Sequence, residues 1–203
     1  MVREFAGKME RAISGAENIV IVGHFNPDGD SVGSVTGMYY YLKELGKKAV
    51  VVLPSSYPEY LSFLDKDRDY LIFTKNPEKV AQAIEESDLI IGLDFNNLGR
   101  TEGVKNLFAA SSAQKILIDH HPNPERSSFD LICSTVDTSS TCELLFYVLM
   151  ETALVDNDIE KMPYRSAEGL ATGMLTDTNN FKNSSIASTY NMASLLLKRG
   201  VSL

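Results

Sequence analysis

Short unbroken apolar runs alternate along this chain with stretches in which apolar residues recur at helical spacing. Phe5, Met9, Ala12 and Ile13 fall at i, i+4, i+7 and i+8, which predicts an amphipathic first helix ending near Gly15. The run NIVIVGH, residues 18–24, is β-branched and shows no two-face alternation. That is the pattern of a parallel strand covered on both faces. A helix over residues 31–45 follows, with Gly46 as its stop, and then a second apolar run, residues 49–53, ended by Pro54. Together these form a βαβ unit.

The alternation continues. Buried strands are predicted at residues 88–94 (DLIIGLD) and 115–119 (KILID), with helices at 77–86 and 101–110 between them, and Pro77 suits the first turn of its helix. Residues 129–133 read as an edge strand, and helices are expected at 140–151, 164–175 and 188–199. Strands alternating with helices through the first 120 residues predict an α/β fold. We expect an open, mainly parallel sheet with helices on both faces and a helical C-terminal part, all within one domain over residues 1–203.

Composition narrows the function classes. The net charge of -8 argues against a protein that coats duplex nucleic acid, because phosphate neutralisation needs surplus Lys and Arg. A short anionic substrate remains compatible, since two bound divalent cations would bring the charge to -8 + 4 = -4 and reverse the local field. The two cysteines, Cys133 and Cys142, form no CxxC pair and read as reduced structural thiols. No secretory h-region and no apolar stretch of membrane-spanning length occurs, so we expect a cytoplasmic protein with no membrane partner.

All three histidines, His24, His120 and His121, lie at predicted strand ends beside aspartates. Ligands of open α/β sheets collect outside those carboxyl ends. In His24-Phe25-Asn26-Pro27-Asp28-Gly29-Asp30-Ser31 the Asn-Pro and Asp-Gly pairs favour a tight turn that could gather His24, Asp28 and Asp30. The alternative is an ordinary loop in which Asp30 or Ser31 caps the next helix. Asp94, ending DLIIGLD, is by itself either a loop-start residue or a ligand. In Asp119-His120-His121 a carboxylate and two imidazoles crowd into consecutive positions, and three such strand ends together strain an incidental reading. Asp177 ends a predicted helix, where an acid opposes the macrodipole and a bound cation would compensate it; a solvated loop position is the other reading.

Carboxylates with neutral imidazoles suit manganese or magnesium, and zinc or cobalt also accept them; manganese is the first choice. One Asp shared between metals about 3.5 to 4 Å apart would hold a bridging water, lower its pKa and clamp both oxygens of an in-line displacement.

HFNPDGDSVGS, GLDFNN, DHHPNP and TGMLTDTNNF resemble, in that order, the four motifs of the DHH phosphoesterase superfamily, from about residue 18 onward. NPDGDS and TDTNNF are most similar to the nano-RNase branch, oligoribonucleases that also dephosphorylate 3'-phosphoadenosine 5'-phosphate. The resemblance implies that His24, Asp28 and Asp94 hold one divalent cation and that Asp30, Asp94, His120 and Asp177 hold the other, with Asp94 bridging. It further implies that Asp119 supports the site by orienting a ligating imidazole and that His121 faces the scissile phosphate. Members of this branch usually carry a second, substrate-gripping domain that this chain does not show, which makes a fragment an expectation. Apolar helix faces near either terminus could serve a homodimer or a missing domain.

The implied activity is two-metal hydrolysis of short single-stranded RNA or of a nucleotide bisphosphate. Two alternatives stand beside it. One is a manganese-dependent inorganic pyrophosphatase, which shares the first motif and the metal arrangement. The other is a nucleotide-binding module without turnover, against which the intact ligand set argues.

Overall fold

The computed structural model describes residues 2–203. Helix α1 (Val2–Gly15) leads into strand β1 (Asn18–Val22), and helix α2 (Gly29–Glu44) crosses to β2 (Lys48–Leu53). After a loop come β3 (Leu71–Ile72), α3 (Pro77–Glu85), β4 (Leu89–Leu93), α4 (Lys105–Ala110), β5 (Gln114–Asp119) and β6 (Leu131–Ser134). Three helices complete the chain: α5 (Thr141–Met150), α6 (Tyr164–Asp177) and α7 (Ala187–Arg199).

The six strands form one sheet in the order β3-β2-β1-β4-β5-β6, and every pairing is parallel. The order reverses between β1 and β4, and at such a switch point the loops leaving two adjacent strands part and open a crevice at their carboxyl ends. His24 follows β1, Asp94 follows β4 and Asp119 closes β5. The histidines and aspartates read from the sequence therefore gather where this topology makes room for a ligand.

Alternation along the strands explains why no strand shows a polar face, since successive side chains enter different apolar layers. Ile19, Ile21, Val51, Leu53, Ile91 and Ile118 pack into one layer with α1, α2, α5 and α6. Val20, Val22, Val52, Ile90 and Leu117 pack into the other, with Val80 and Ile84 of α3 and Phe108 of α4. Phe95, Phe108 and Phe129 close that second layer with ring centroids 5.7 to 6.2 Å apart.

The expected helix over 101–110 is only half present. A 3₁₀ stretch over Leu98–Val104 precedes α4, and Glu102 breaks it at φ 40°, ψ -111°. The break lets Gly103 lie against Phe73, where a Cβ would fall 2.3 Å from the ring. The sequence reading contained no β3, whose two residues, after a long loop, are too few for a pattern. The edge strand begins at Leu131, two residues later than expected.

Candidate metal centre

Each piece of the site is held by local backbone chemistry. Asp28 is the cap of α2: its Oδ1 accepts from the amides of Asp30 and Ser31, 3.0 and 3.1 Å away. The alternative reading of this loop places the cap at Asp30 or Ser31; the structure places it at Asp28, which leaves Asp30 free to turn inward. Asp30 is buried and accepts from the amides of Thr141 (2.7 Å) and Cys142 (2.9 Å) at the start of α5. A helix N-terminus, with unpaired N–H groups and a positive dipole end, is well matched to a carboxylate. Asp94 sits in the left-handed region at φ 67°, which Asp tolerates better than most residues, and its Oδ1 accepts from the Thr141 hydroxyl at 2.9 Å.

His24 supplies the clearest mark of an intended ligand. Its Nδ1 lies 2.8 Å from the Phe25 carbonyl, which only accepts, so Nδ1 carries a hydrogen, and in the neutral ring, the form that ligates, Nε2 presents a lone pair. That Nε2 is buried with no hydrogen-bond partner. It lies 3.3 Å from Asp94 Oδ2 and 3.8 Å from Asp28 Oδ1. Buried polar atoms are rarely left unpaired, and a lone pair aimed between two carboxylates suits a cation.

A second cluster adjoins the first. His120 Nε2 lies 3.5 Å from Asp177 Oδ2, 3.8 Å from Asp94 Oδ1 and 3.9 Å from Asp30 Oδ2. The structure brings together His24, Asp28 and Asp94 as one group able to hold a metal, and Asp30, His120 and Asp177 as another. Asp94 faces both, with Oδ2 toward His24 and Oδ1 toward His120. The hard oxygen and imidazole donors fit two small divalent cations.

Without a cation the electrostatics are unfavourable. Burial, then the charges of Asp94 and Asp177, push the Asp30 carboxyl well above the ordinary range. Burial, then Asp94 and Asp28, push Asp177 up to about 7. Burial opposes the charged form of His24, yet the carboxylates of Asp28 and Asp94 outweigh it and lift the imidazole to about 9. Enclosure raises Asp28 too, but His24 and the amides of Ser31 and Asp30 hold it at about 2. Burial lowers His120, which favours the neutral form that can ligate.

His121 stands apart from the two groups. Its Nδ1 lies 2.8 Å from Asp119 Oδ1, and its backbone amide donates to Asp119 Oδ2 at 3.1 Å. Asp119 thus orients His121 and not the ligand-like His120, which differs from the expectation that it would steady a ligating imidazole. Arg100 Nη1 lies 2.9 Å from His121 Nε2. A third grouping of Asp94, His120 and His121 is geometrically able to hold a metal, but both ring nitrogens of His121 already have partners.

Sequence reasoning missed Arg100 and Thr141. A basic residue in the loop after Asp94, and a Ser-Ser-Thr run at a helix start, were the available signals.

The family model for the DHH family, N-terminal domain, matches residues 18–174. The chain belongs to the DHH family. Among family relatives, the bifunctional oligoribonuclease and PAP phosphatase of Thermus thermophilus is 32% identical over 165 residues, covering 81% of this chain and 44% of that protein. The cyclic-di-AMP phosphodiesterase of Listeria monocytogenes is 25% identical over 98% of this chain and 30% of its own length. A crystal structure of an exopolyphosphatase-related protein from Bacteroides fragilis superposes with a TM-score of 0.91 at 34% identity, covering 98% of this chain and 57% of that one. The DHH chain described here thus spans about half the length of the relatives it matches, or less. None of its helices, among the described residues, is long and apolar enough to cross a membrane.

Proposed function

We propose that this DHH domain is the catalytic part of a phosphoesterase that uses two divalent cations, manganese first, to hydrolyse short oligoribonucleotides and the 3'-phosphate of 3'-phosphoadenosine 5'-phosphate. The observation that carries this reading is the double-faced Asp94 carboxylate at the switch point, between a cluster on His24 and a cluster on His120. His24, Asp28 and Asp94 would hold one cation, and Asp30, Asp94, His120 and Asp177 the other. Bound there, the cations would supply Lewis acidity toward phosphoryl oxygens and a lowered pKa for attacking water.

The rest of the work falls to side chains. Thr141 and the start of α5 fix the Asp94 and Asp30 carboxylates, so that these two need not reorganise. Asp119 holds His121 by Nδ1, while Nε2, the nitrogen that would meet substrate, accepts from Arg100 Nη1 in the free chain. Once freed from Arg100 and protonated, Nε2 would donate to the phosphoryl group or protonate the leaving oxygen. The relatives named as oligoribonuclease and PAP phosphatase support this substrate class. The net charge of -8 favours short anions over long polyanions.

The test is manganese-dependent hydrolysis of RNA a few nucleotides long, of 3'-phosphoadenosine 5'-phosphate, of a cyclic dinucleotide and of pyrophosphate. Turnover of the first two, lost in Asp94→Asn and His121→Ala, is expected. Turnover of pyrophosphate alone would replace this reading with a pyrophosphatase, and hydrolysis unchanged in both variants would sink the site assignment.

A further inference from the structure

The centre is short of positive charge. Among the described residues, every ion pair made by Asp28, Asp30, Asp94, Asp119 and Asp177 is with a histidine, and none is with a lysine or an arginine. Five carboxylates and two divalent cations sum to -5 + 4 = -1 with the imidazoles neutral, so the centre itself offers an arriving phosphate no surplus positive charge. Arg100 is the cation in place. Its side chain is half-buried and, among the described residues, makes one hydrogen bond, from Nη1 to His121 Nε2 at 2.9 Å. A guanidinium has five N–H donors, so four remain without a protein partner. A half-buried arginine usually satisfies itself on a carboxylate; this one touches a ring nitrogen instead.

Its placement is fixed by the backbone. The Arg100 carbonyl accepts from the Phe25 amide at 2.8 Å, next to His24, and its own amide donates to the Asn97 carbonyl at 3.2 Å. The residue is therefore tied both to the loop after β1 and to the turn after β4, the two loops that bound the crevice.

We propose that Arg100 contacts substrate: its N–H groups take the non-bridging oxygens of the phosphoryl group being cleaved, and the Nη1 contact holds the guanidinium beside His121 until that group arrives. This rests on the phosphoesterase reading. The ligand class is a tetrahedral phosphoryl anion, as monoester or diester, which matches the planar donor fork of a guanidinium. A role confined to steadying His121 predicts a different outcome, because such a residue would affect turnover without affecting phosphate affinity.

The experiment is calorimetric titration of the manganese-loaded chain with inorganic phosphate, beside hydrolysis of 3'-phosphoadenosine 5'-phosphate, for the native protein, Arg100→Ala and Arg100→Lys. Manganese stoichiometry and thermal midpoint should match in all three, since Arg100 holds no carboxylate. Phosphate affinity should fall about tenfold or more in Arg100→Ala, the scale of one lost charge-assisted contact. It should recover in part in Arg100→Lys and in part when millimolar guanidinium is added to Arg100→Ala. Phosphate binding that is equal in native and Arg100→Ala, or absent in the native chain, overturns the proposal. Arginine-dependent phosphate binding with no ester turnover would uphold it while removing the phosphoesterase reading. Full ester turnover in Arg100→Ala would do the reverse.

Discussion

Gly33 on α2 and Gly169 on α6 pack so closely that a Cβ on Gly33 would lie 2.4 Å from the Gly169 carbonyl oxygen. The same seam runs to Gly173, where a Cβ would meet Cys142 Sγ at 2.2 Å and Asp30 Oδ1 at 2.7 Å. Backbone against backbone is what lets α6 deliver Asp177, from its last position, to the cluster at the start of α2. The obstacle at Gly33 is main chain, which cannot swing aside as a flexible side chain would. Gly33→Ala should therefore destabilise the fold by about 1–3 kcal/mol, the usual cost of overpacking. At about 2–4 °C per kcal/mol for a chain of this size, thermal denaturation should register it, and an unchanged midpoint would contradict the packing account.

Asp119 separates the support of His121 from the holding of metal. Its two oxygens serve the ring and the amide of His121, and it makes no ion pair with His120. Asp119→Ala should lower turnover about 10- to 100-fold, the typical cost of removing a carboxylate that orients a histidine. Manganese affinity by calorimetry should change far less. An equal loss in both would mean that His121 itself ligates metal in solution.

Asp94→Asn tests the bridge. The amide keeps an oxygen for the Thr141 hydroxyl, 2.9 Å away in the native chain, so the fold should survive. The loss of charge and of one coordinating oxygen falls on both clusters at once, because Asp94 faces His24 and His120. Two manganese ions per chain are expected for the native protein, with both weakened in the variant. Loss of a single ion, with the second at native affinity, would argue against a shared carboxylate. Asp177→Asn provides the contrast and should weaken one ion only.

The layered α/β architecture was legible because buried parallel strands write themselves as β-branched runs, and the first and third clusters because histidines are scarce and sit at strand ends. What escaped was set by tertiary contact. β3 exists through its pairing with Val52 and Leu53, not through any run of its own. The break at Glu102 sets Gly103 against Phe73, a contact with a distant part of the chain. Periodicity could place Asp30 at a helix start, but only packing shows that it gives its oxygens to the amides of α5. The sequence shows Arg100 as a basic residue after Asp94 but not its contact, since its partner His121 lies 21 positions away.

Protons and metal should compete, in a direction fixed by two groups. His24 is lifted to about 9 and Asp177 to about 7 in the metal-free chain, so both are protonated at mildly acidic pH, whereas a ligand must be a neutral imidazole or a carboxylate. For each, the folded value lies above the ordinary one of an unfolded chain, so the folded state binds its proton more tightly. The stability this lends the metal-free protein is complete below the unfolded values. It falls as pH rises through about 7 for Asp177 and about 9 for His24. The metal-free thermal midpoint should therefore drop between mildly acidic and alkaline pH. Manganese affinity should climb over the same range, and saturating manganese should offset the drop, because a ligand that binds only the folded state stabilises it. Melting curves with chelator and with manganese across that range are the measurement. A metal-free midpoint that rose with pH would show that these carboxylates and imidazoles do not share one field.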